Sequence, residues 1–325
     1  MKTIGMGVIG AGRMGNVHAK ELAQLDGVKL AAVYDIRPEA ARSFQAQYGA
    51  RPAASAAALA ADPAVDGVLV CSPSYCHREG VQAACEAGKA VFCEKPLGRT
   101  AADRDAMASL GRTSPKPFVL GFVRRHMAKT LALKRLLDEG RLGRVRFCNI
   151  DLPLGVYRRQ PGDWFADFSL CGGVILDMLA HHVDLANWFF GLPQRVYADG
   201  LLMDPSQPEP ADYVAAVATY PGPVIVNLMC NWQRFGRTGE RMEIYGEQGA
   251  AVLDGSDALT CYPKGRDMET IPCPDGSAHR RQMESFAAAV RGERIEAASL
   301  QDGLNSLAVG LAMIESVQTQ AVVRL

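Results

Sequence analysis

Two short stretches of this sequence combine ionisable side chains in ways that suit proton transfer. In the stretch Gly172-Gly-Val-Ile-Leu-Asp177-Met-Leu-Ala-His181-His182-Val-Asp184, Asp177, His181 and Asp184 are spaced by four and three. That spacing puts all three on one face of a helix predicted over 174–190. The helix is apolar nearly all round, which implies burial, and ionisable groups there are costly unless they pair or line a wet cavity. An imidazole has an ordinary pKa near neutrality and can take a proton from a hydroxyl, while a carboxylate one turn earlier can orient it. His182 projects roughly 140° away from Asp177, so His181 is the expected base and Asp184 the structural member. Gly172 and Gly173 would let a ligand approach the free N–H groups at the helix entrance. The second stretch, Glu94-Lys95-Pro96, directly follows an apolar run over 90–93. A lysine there can stabilise a developing oxyanion, and its charge discourages protonation of a nearby imidazole.

Such groups need a scaffold and a partner, and residues 4–35 describe both. An apolar run over 4–9 leads into Gly10-Ala-Gly12-Arg13-Met14-Gly15, a helix is predicted over 16–25, and Asp35 ends the next apolar run, 30–34. Gly10 permits the tight turn, Gly12 lets backbone approach a pyrophosphate, and Gly15 lets the helix pack close to the sheet. The helix N-terminus supplies N–H groups and partial positive charge. Strand, glycines, helix, strand and acid in this order form a dinucleotide site. Asp35 would bond the ribose and repel a 2′-phosphate, favouring NAD. Arg37 could instead cradle that phosphate, which leaves NADP open.

Apolar runs at 67–71, 90–93 and 118–122 continue the strand series, with helices at 38–48, 55–61, 77–87 and 101–110 between the strands. This alternation predicts an α/β, doubly wound parallel sheet over 1–122. From 123 onward a helix (129–139), a strand (145–152) and the long helix are followed by strands at 195–203, 213–220, 224–232, 240–245, 250–254 and 259–262. Turns at 220–223 and 246–249 join two pairs of them. Helices at 278–291 and 300–318 close the chain, the last able to pack back on the first domain. The second domain, 123–325, is therefore expected to be α+β with a mostly antiparallel sheet. Lys plus Arg equal Asp plus Glu at 35 each, which argues against nucleic acid or an anionic membrane as partner. The 9 cysteines show no metal or disulfide spacing, so no metal is expected, and a reducing cytoplasm fits. No run is read as long enough to span a membrane.

Taken together, the 10–15 loop, Ser72-Pro-Ser-Tyr-Cys-His77, Glu94-Lys-Pro96 and the Gly172 to Asp184 pattern resemble the glucose–fructose oxidoreductase/inositol dehydrogenase (Gfo/Idh/MocA) family along the whole chain. The resemblance implies a nicotinamide-dependent oxidoreductase of sugars, cyclitols or related polyols. It also implies an open-faced sheet used to form a homodimer or homotetramer. It marks Lys95, Asp177 and His181 as a catalytic trio, and Ser72, Pro73, His77 and Glu94 as belonging with the cofactor site. Ser74 and Met178-Leu179 depart from the usual form, which has Asn and Gly in those places. Arg124, Tyr157 and Trp164, with Arg125, Arg158, Arg159 and Asp163, either face the substrate or lie on the solvated surface. Two other functions remain open: an NAD-dependent glycoside hydrolase that oxidises its sugar transiently, and a non-catalytic dinucleotide sensor.

Overall fold

The structure, a computed structural model, describes residues 3–153, 164–202, 211–232, 239–274 and 276–325. Tyr157, Arg158, Arg159, Asp163 and the end of the strand expected at 195–203 lie outside the described residues. The chain forms two compact units, Met1–His126 with Ser277–Leu304, and Met127–Gly276 with Asn305–Leu325. Ser277–Leu304, which the sequence reading placed within 123–325, thus belongs to the first unit.

In the first unit the strands β1 (Ile4–Ile9), β2 (Val28–Tyr34), β3 (Arg51–Pro52), β4 (Gly67–Val70), β5 (Ala90–Cys93) and β6 (Phe118–Leu120) form one sheet in the order β3-β2-β1-β4-β5-β6. All its pairs are parallel. β1, β4 and β5 are buried along their whole length, as parallel strands covered on both faces must be. β3 was not foreseen. Its proline cannot donate to a ladder, which confines such a pair to a sheet edge. Helix Arg13–Leu22 begins three residues before the expected start because the chain turns into it directly from Gly12. Ser55 caps helix Ala56–Ala61, and a reciprocal Thr100–Asp103 capping box opens helix Ala101–Thr113. Strand order reverses between β1 and β4. In sheets of this kind the ligand crevice lies at that point, outside the strands' carboxyl ends. The loops leaving β1, β2, β4 and β5 carry Gly10 to Gly15, Asp35, Ser72 and Lys95 respectively.

The second unit holds β7 (Val145–Pro153), β8 (Arg195–Leu201), β9 (Tyr213–Tyr220), β10 (Val224–Asn231), β11 (Arg241–Gly246), β12 (Gly249–Leu253), β13 (Ala258–Pro263), β14 (Glu269–Pro272) and β15 (Val323–Arg324). They pair in the order β14-β13-β12-β11-β7-β10-β9-β8-β15. Every neighbouring pair is antiparallel except β10 with β7. The expected hairpins are present, closing at Tyr220↔Val224 and Gly246↔Gly249. Edge strands β14 and β15 were missed, being short and interrupted by Pro or charge, the usual guard against edge pairing. Val196, Ala198, Val214, Ala218, Val226 and Leu228 point inward and pack with Leu133, Leu136, Leu176, Leu179 and Val183 of the helices. The alternate residues Phe147, Tyr197, Val217 and Ile225 are exposed on the other face.

Helical residues Phe168–Phe190 reach the length and hydropathy of a membrane span, contrary to the sequence reading, but 67% of the apolar window is buried inside the protein. That is the profile of a core helix.

Candidate functional site

The glycine loop is fixed by its own protein at two positions and left open at a third. Gly10 has φ 97°, and a Cβ there would lie 2.6 Å from Ser72 N. A Cβ on Gly15 would lie 2.1 Å from Gly10 O. One on Gly12 would meet nothing within 4 Å. Packing therefore explains two of the glycines, whereas nothing in the protein itself requires Gly12. Helix Arg13–Leu22 has no side-chain cap and no acid in its first turn, so no side chain of the helix itself occupies its N-terminal N–H groups. Asn16 Nδ2 donates to Ala11 O and Gly12 O, both at 2.8 Å, and holds the loop's shape. Arg13 is exposed and Met14 half-buried at its tip.

Asp35 is tied to this loop. Its Oδ2 accepts the Ala11 N–H at 2.9 Å, and its Oδ1 accepts Arg37 N–H at 2.9 Å and Arg37 Nε at 3.2 Å. The carboxylate thus braces the loop as well as ending β2, while Arg37 stays 60% exposed along its side chain. After β4, Ser72 Oγ is a buried hydroxyl with no hydrogen-bond partner among the described residues, a group that a ligand hydroxyl or phosphate oxygen would satisfy. Pro73 is half-buried beside it. His77 is buried with its two ring nitrogens 2.8 Å from Pro96 O and 3.0 Å from Ser72 O. Burial holds its pKa below the ordinary imidazole value against the opposing pull of those carbonyls. It joins the β4 and β5 loops, so its ring serves their geometry.

At the end of β5, Lys95 is half-buried and joined to Pro96 by a cis peptide bond. Glu94 faces inward, its Oε1 2.6 Å from His18 Nε2 and its Oε2 accepting the Lys95 N–H at 3.1 Å. Glu94 is therefore a bracing group here, and His18 is a residue that sequence reading missed. The available signal was its place beside Gly15, Ala19 and Leu22 on the buried face of its helix, where an imidazole demands a buried partner. Beyond β6, Arg125 is buried and paired with Asp302 at 2.9 Å, which makes it an internal strut. Arg124 is half-buried on the same short turn, Val123–His126.

In the second unit the regular helix expected over 174–190 is broken by a π turn, Ile175–Leu179, before the α-helix Ala180–Phe190. A π turn accommodates an extra residue and shifts the register behind it. Asp177 and His181 are half-buried, whereas Asp184 is buried, so the three differ in exposure. His182 is fully buried with Nε2 3.0 Å from Glu240 Oε1. The glycines at the entrance also differ from expectation. Gly172 (φ 80°) ends the short helix Phe168–Cys171, and a Cβ there would lie 2.5 Å from Leu176 Cδ1. Gly173 (φ 67°) would crowd Phe168 at 2.9 Å. Local packing accounts for both, without a ligand. Trp164 is half-buried, its ring 3.8 Å from that of Phe165, and packs on the core of this unit. Among the described residues no group of His, Cys, Asp and Glu could hold a metal ion.

Two family models match the chain. Residues 4–122 match an oxidoreductase family with an NAD-binding Rossmann fold, GFO_IDH_MocA. Residues 130–252 match the GFO/IDH/MocA C-terminal domain. The chain is similar to an inositol 2-dehydrogenase of Rhizobium meliloti (strain 1021), 29% identical across 97% of each chain. It is equally similar to a myo-inositol 2-dehydrogenase of Thermotoga maritima, 29% identical across 98% of each. The crystal structure of an aldose-aldose oxidoreductase from Caulobacter crescentus superposes with a TM-score of 0.88 at 23% identity, covering 100% of both chains, and shares the fold.

Proposed function

Because the chain belongs to the Gfo/Idh/MocA family of oxidoreductases, we propose that it transfers hydride between a nicotinamide cofactor and a secondary alcohol or ketone of a cyclitol, sugar or related polyol. The observation that carries this reading is the carboxyl edge of the six-stranded sheet. There an uncapped helix, an open flank at Gly12 and the buried Ser72 hydroxyl lie on neighbouring loops. Gly10, Gly12, Arg13, Met14, Gly15, Asp35, Arg37, Ser72 and Pro73 would hold the dinucleotide, with His77 and Glu94 fixing the loops. When bound, the nicotinamide supplies the hydride acceptor or donor. His181 takes the hydroxyl proton during oxidation and returns it during reduction. Asp177 orients that imidazole, and the Lys95 ammonium stabilises the oxygen's developing charge. Arg124, Tyr157 and Trp164 are the substrate-side candidates. Asp35 favours NAD over NADP by its charge at the end of β2.

The exposed apolar residues Tyr197, Val217, Ile225, Phe147 and Tyr262 on one sheet face support self-association as a homodimer or homotetramer. All nine cysteines are unbridged, which supports a cytoplasmic enzyme. The deciding experiment is a spectrophotometric screen of inositols, aldoses and sugar acids with NAD and NADP, with aryl glycosides as a control. Reduced-cofactor production from a cyclitol or sugar, faster with NAD, is the expected result. Cleavage of the aryl glycoside without net NADH, or no turnover of any polyol by protein that binds NADH, would overturn the reading.

A further inference from the structure

His18 is wholly shielded from solvent. Its ring stands edge-on to Phe92, with centroids 4.9 Å apart, and lies 5.7 Å from the ring of His279. Glu94, its partner, is buried. The Glu94 N–H donates to Val70 O at 2.9 Å, and a Cβ on Gly121 would come within 2.9 Å of Glu94 Oε2. Burial opposes ionisation of Glu94, yet the hydrogen bond and charge of His18, aided by Lys95, hold its carboxyl below the usual range. An ionised carboxylate only accepts, so the proton of the 2.6 Å contact sits on His18 Nε2. A buried hydrogen-bonded pair contributes little net stability compared with apolar residues of the same volume. The pair's use is therefore sought in geometry. Its carboxylate joins two things directly: the helix that leaves the glycine loop, through His18, and the backbone of Lys95, through Oε2.

We propose that His18 is a positioning residue for Lys95: through Glu94 it locks the helix behind the dinucleotide loop to the strand end that presents the ammonium. The placement of Lys95 is then set by the element that holds the cofactor. Its catalytic meaning rests on the role given to Lys95 above, but the positioning can be read without it.

The test labels lysines of the full-length protein with limiting acetic anhydride and follows each by peptide mass spectrometry, with and without NADH. His18→Leu keeps bulk and removes the donor, whereas His18→Gln returns an N–H. In His18→Leu the Lys95 acetylation rate should change by at least about threefold, while Lys129 and Lys134 of the second unit keep theirs. His18→Gln should stay close to wild type. If His18→Leu does not fold, Glu94→Gln, which keeps the shape and loses the charge, should show the same selective change. Wild-type labelling of Lys95 in the folded variants, or an equal change at all three lysines, would overturn the proposal. On the best polyol of the screen, His18→Leu should lower kcat about tenfold with KM unchanged. Full turnover by Lys95→Met would remove the catalytic role of Lys95 and leave the labelling result standing, so the two failures are distinguishable.

Discussion

Gly12 and the pair Gly172 and Gly173 look alike in the sequence: small residues at the mouth of a helix, each read as room for a ligand. In the protein they are opposites. Nothing within 4 Å would meet a side chain at Gly12, whereas Leu176 and Phe168 crowd the other two and both have positive φ. A glycine before a helix points to a ligand only where the protein itself does not need it. By that standard the first unit has a cofactor site in its backbone, whereas the chemistry proposed for the second rests on side chains alone, Asp177 and His181.

The strongest way to break this contrast is to remove the chemistry assigned to the second unit. His181→Ala should lower kcat by about 10²–10⁴-fold, the range for loss of a general acid–base group, with NADH affinity unchanged. Steady-state kinetics and NADH fluorescence titration measure both. Retained turnover would move the base elsewhere, and His182, buried against Glu240, would be a poor replacement.

The two units also differed in how far they could be read in advance. The central parallel strands were legible because burial on both faces writes them as unbroken apolar runs. Edge strands β3, β14 and β15 were not, since pairing at an edge is decided by the neighbouring strand and not by local pattern. The positions of Gly10, Asp35 and Lys95 were legible because each follows an apolar run within two residues, and those of Gly12 and Gly15 by their fixed spacing from Gly10. His18 was not: its partner is 76 residues away, and locally it is only a polar residue on an apolar face. The π turn at Ile175–Leu179 was hidden because a helix apolar on all sides carries no phase to betray an extra residue. The deeper burial of Asp184, beside half-buried Asp177 and His181, is likewise invisible in their spacing.

A second histidine sharpens the comparison within the first unit, where ionisable groups are held by their surroundings. His126 is buried, and burial together with the Arg281 and Arg125 charges pushes its pKa down to about 4. The unfolded imidazole titrates near 6.5. Folding is thus favoured fully above that value, and the contribution is lost as pH falls from about 6.5 towards 4, because only the unfolded chain takes up the proton. The loss amounts to at most about 3 kcal/mol. The urea midpoint of the wild type should therefore drop more between pH 8 and pH 4.5 than that of His126→Gln. Equal drops would show that His126 is not held neutral.

The smallest expected effects bear most directly on the two kinds of glycine. Gly172→Ala must hold a side chain at φ 80° with its Cβ 2.5 Å from Leu176 Cδ1. Strain of that kind costs about 1–3 kcal/mol, or roughly 3–10 °C in Tm. Gly12→Ala sits at φ −77°, which any residue adopts, and meets no neighbour. Its Tm should stay within about 2 °C of wild type, since the loss of chain entropy in the unfolded state works in its favour. NADH affinity should reverse the ranking, falling about tenfold for Gly12→Ala through the lost backbone approach and staying level for Gly172→Ala. If Gly12→Ala binds NADH as tightly as the wild type, the open flank beside that residue does not receive the pyrophosphate, and the contrast between the two glycine sites reduces to packing alone.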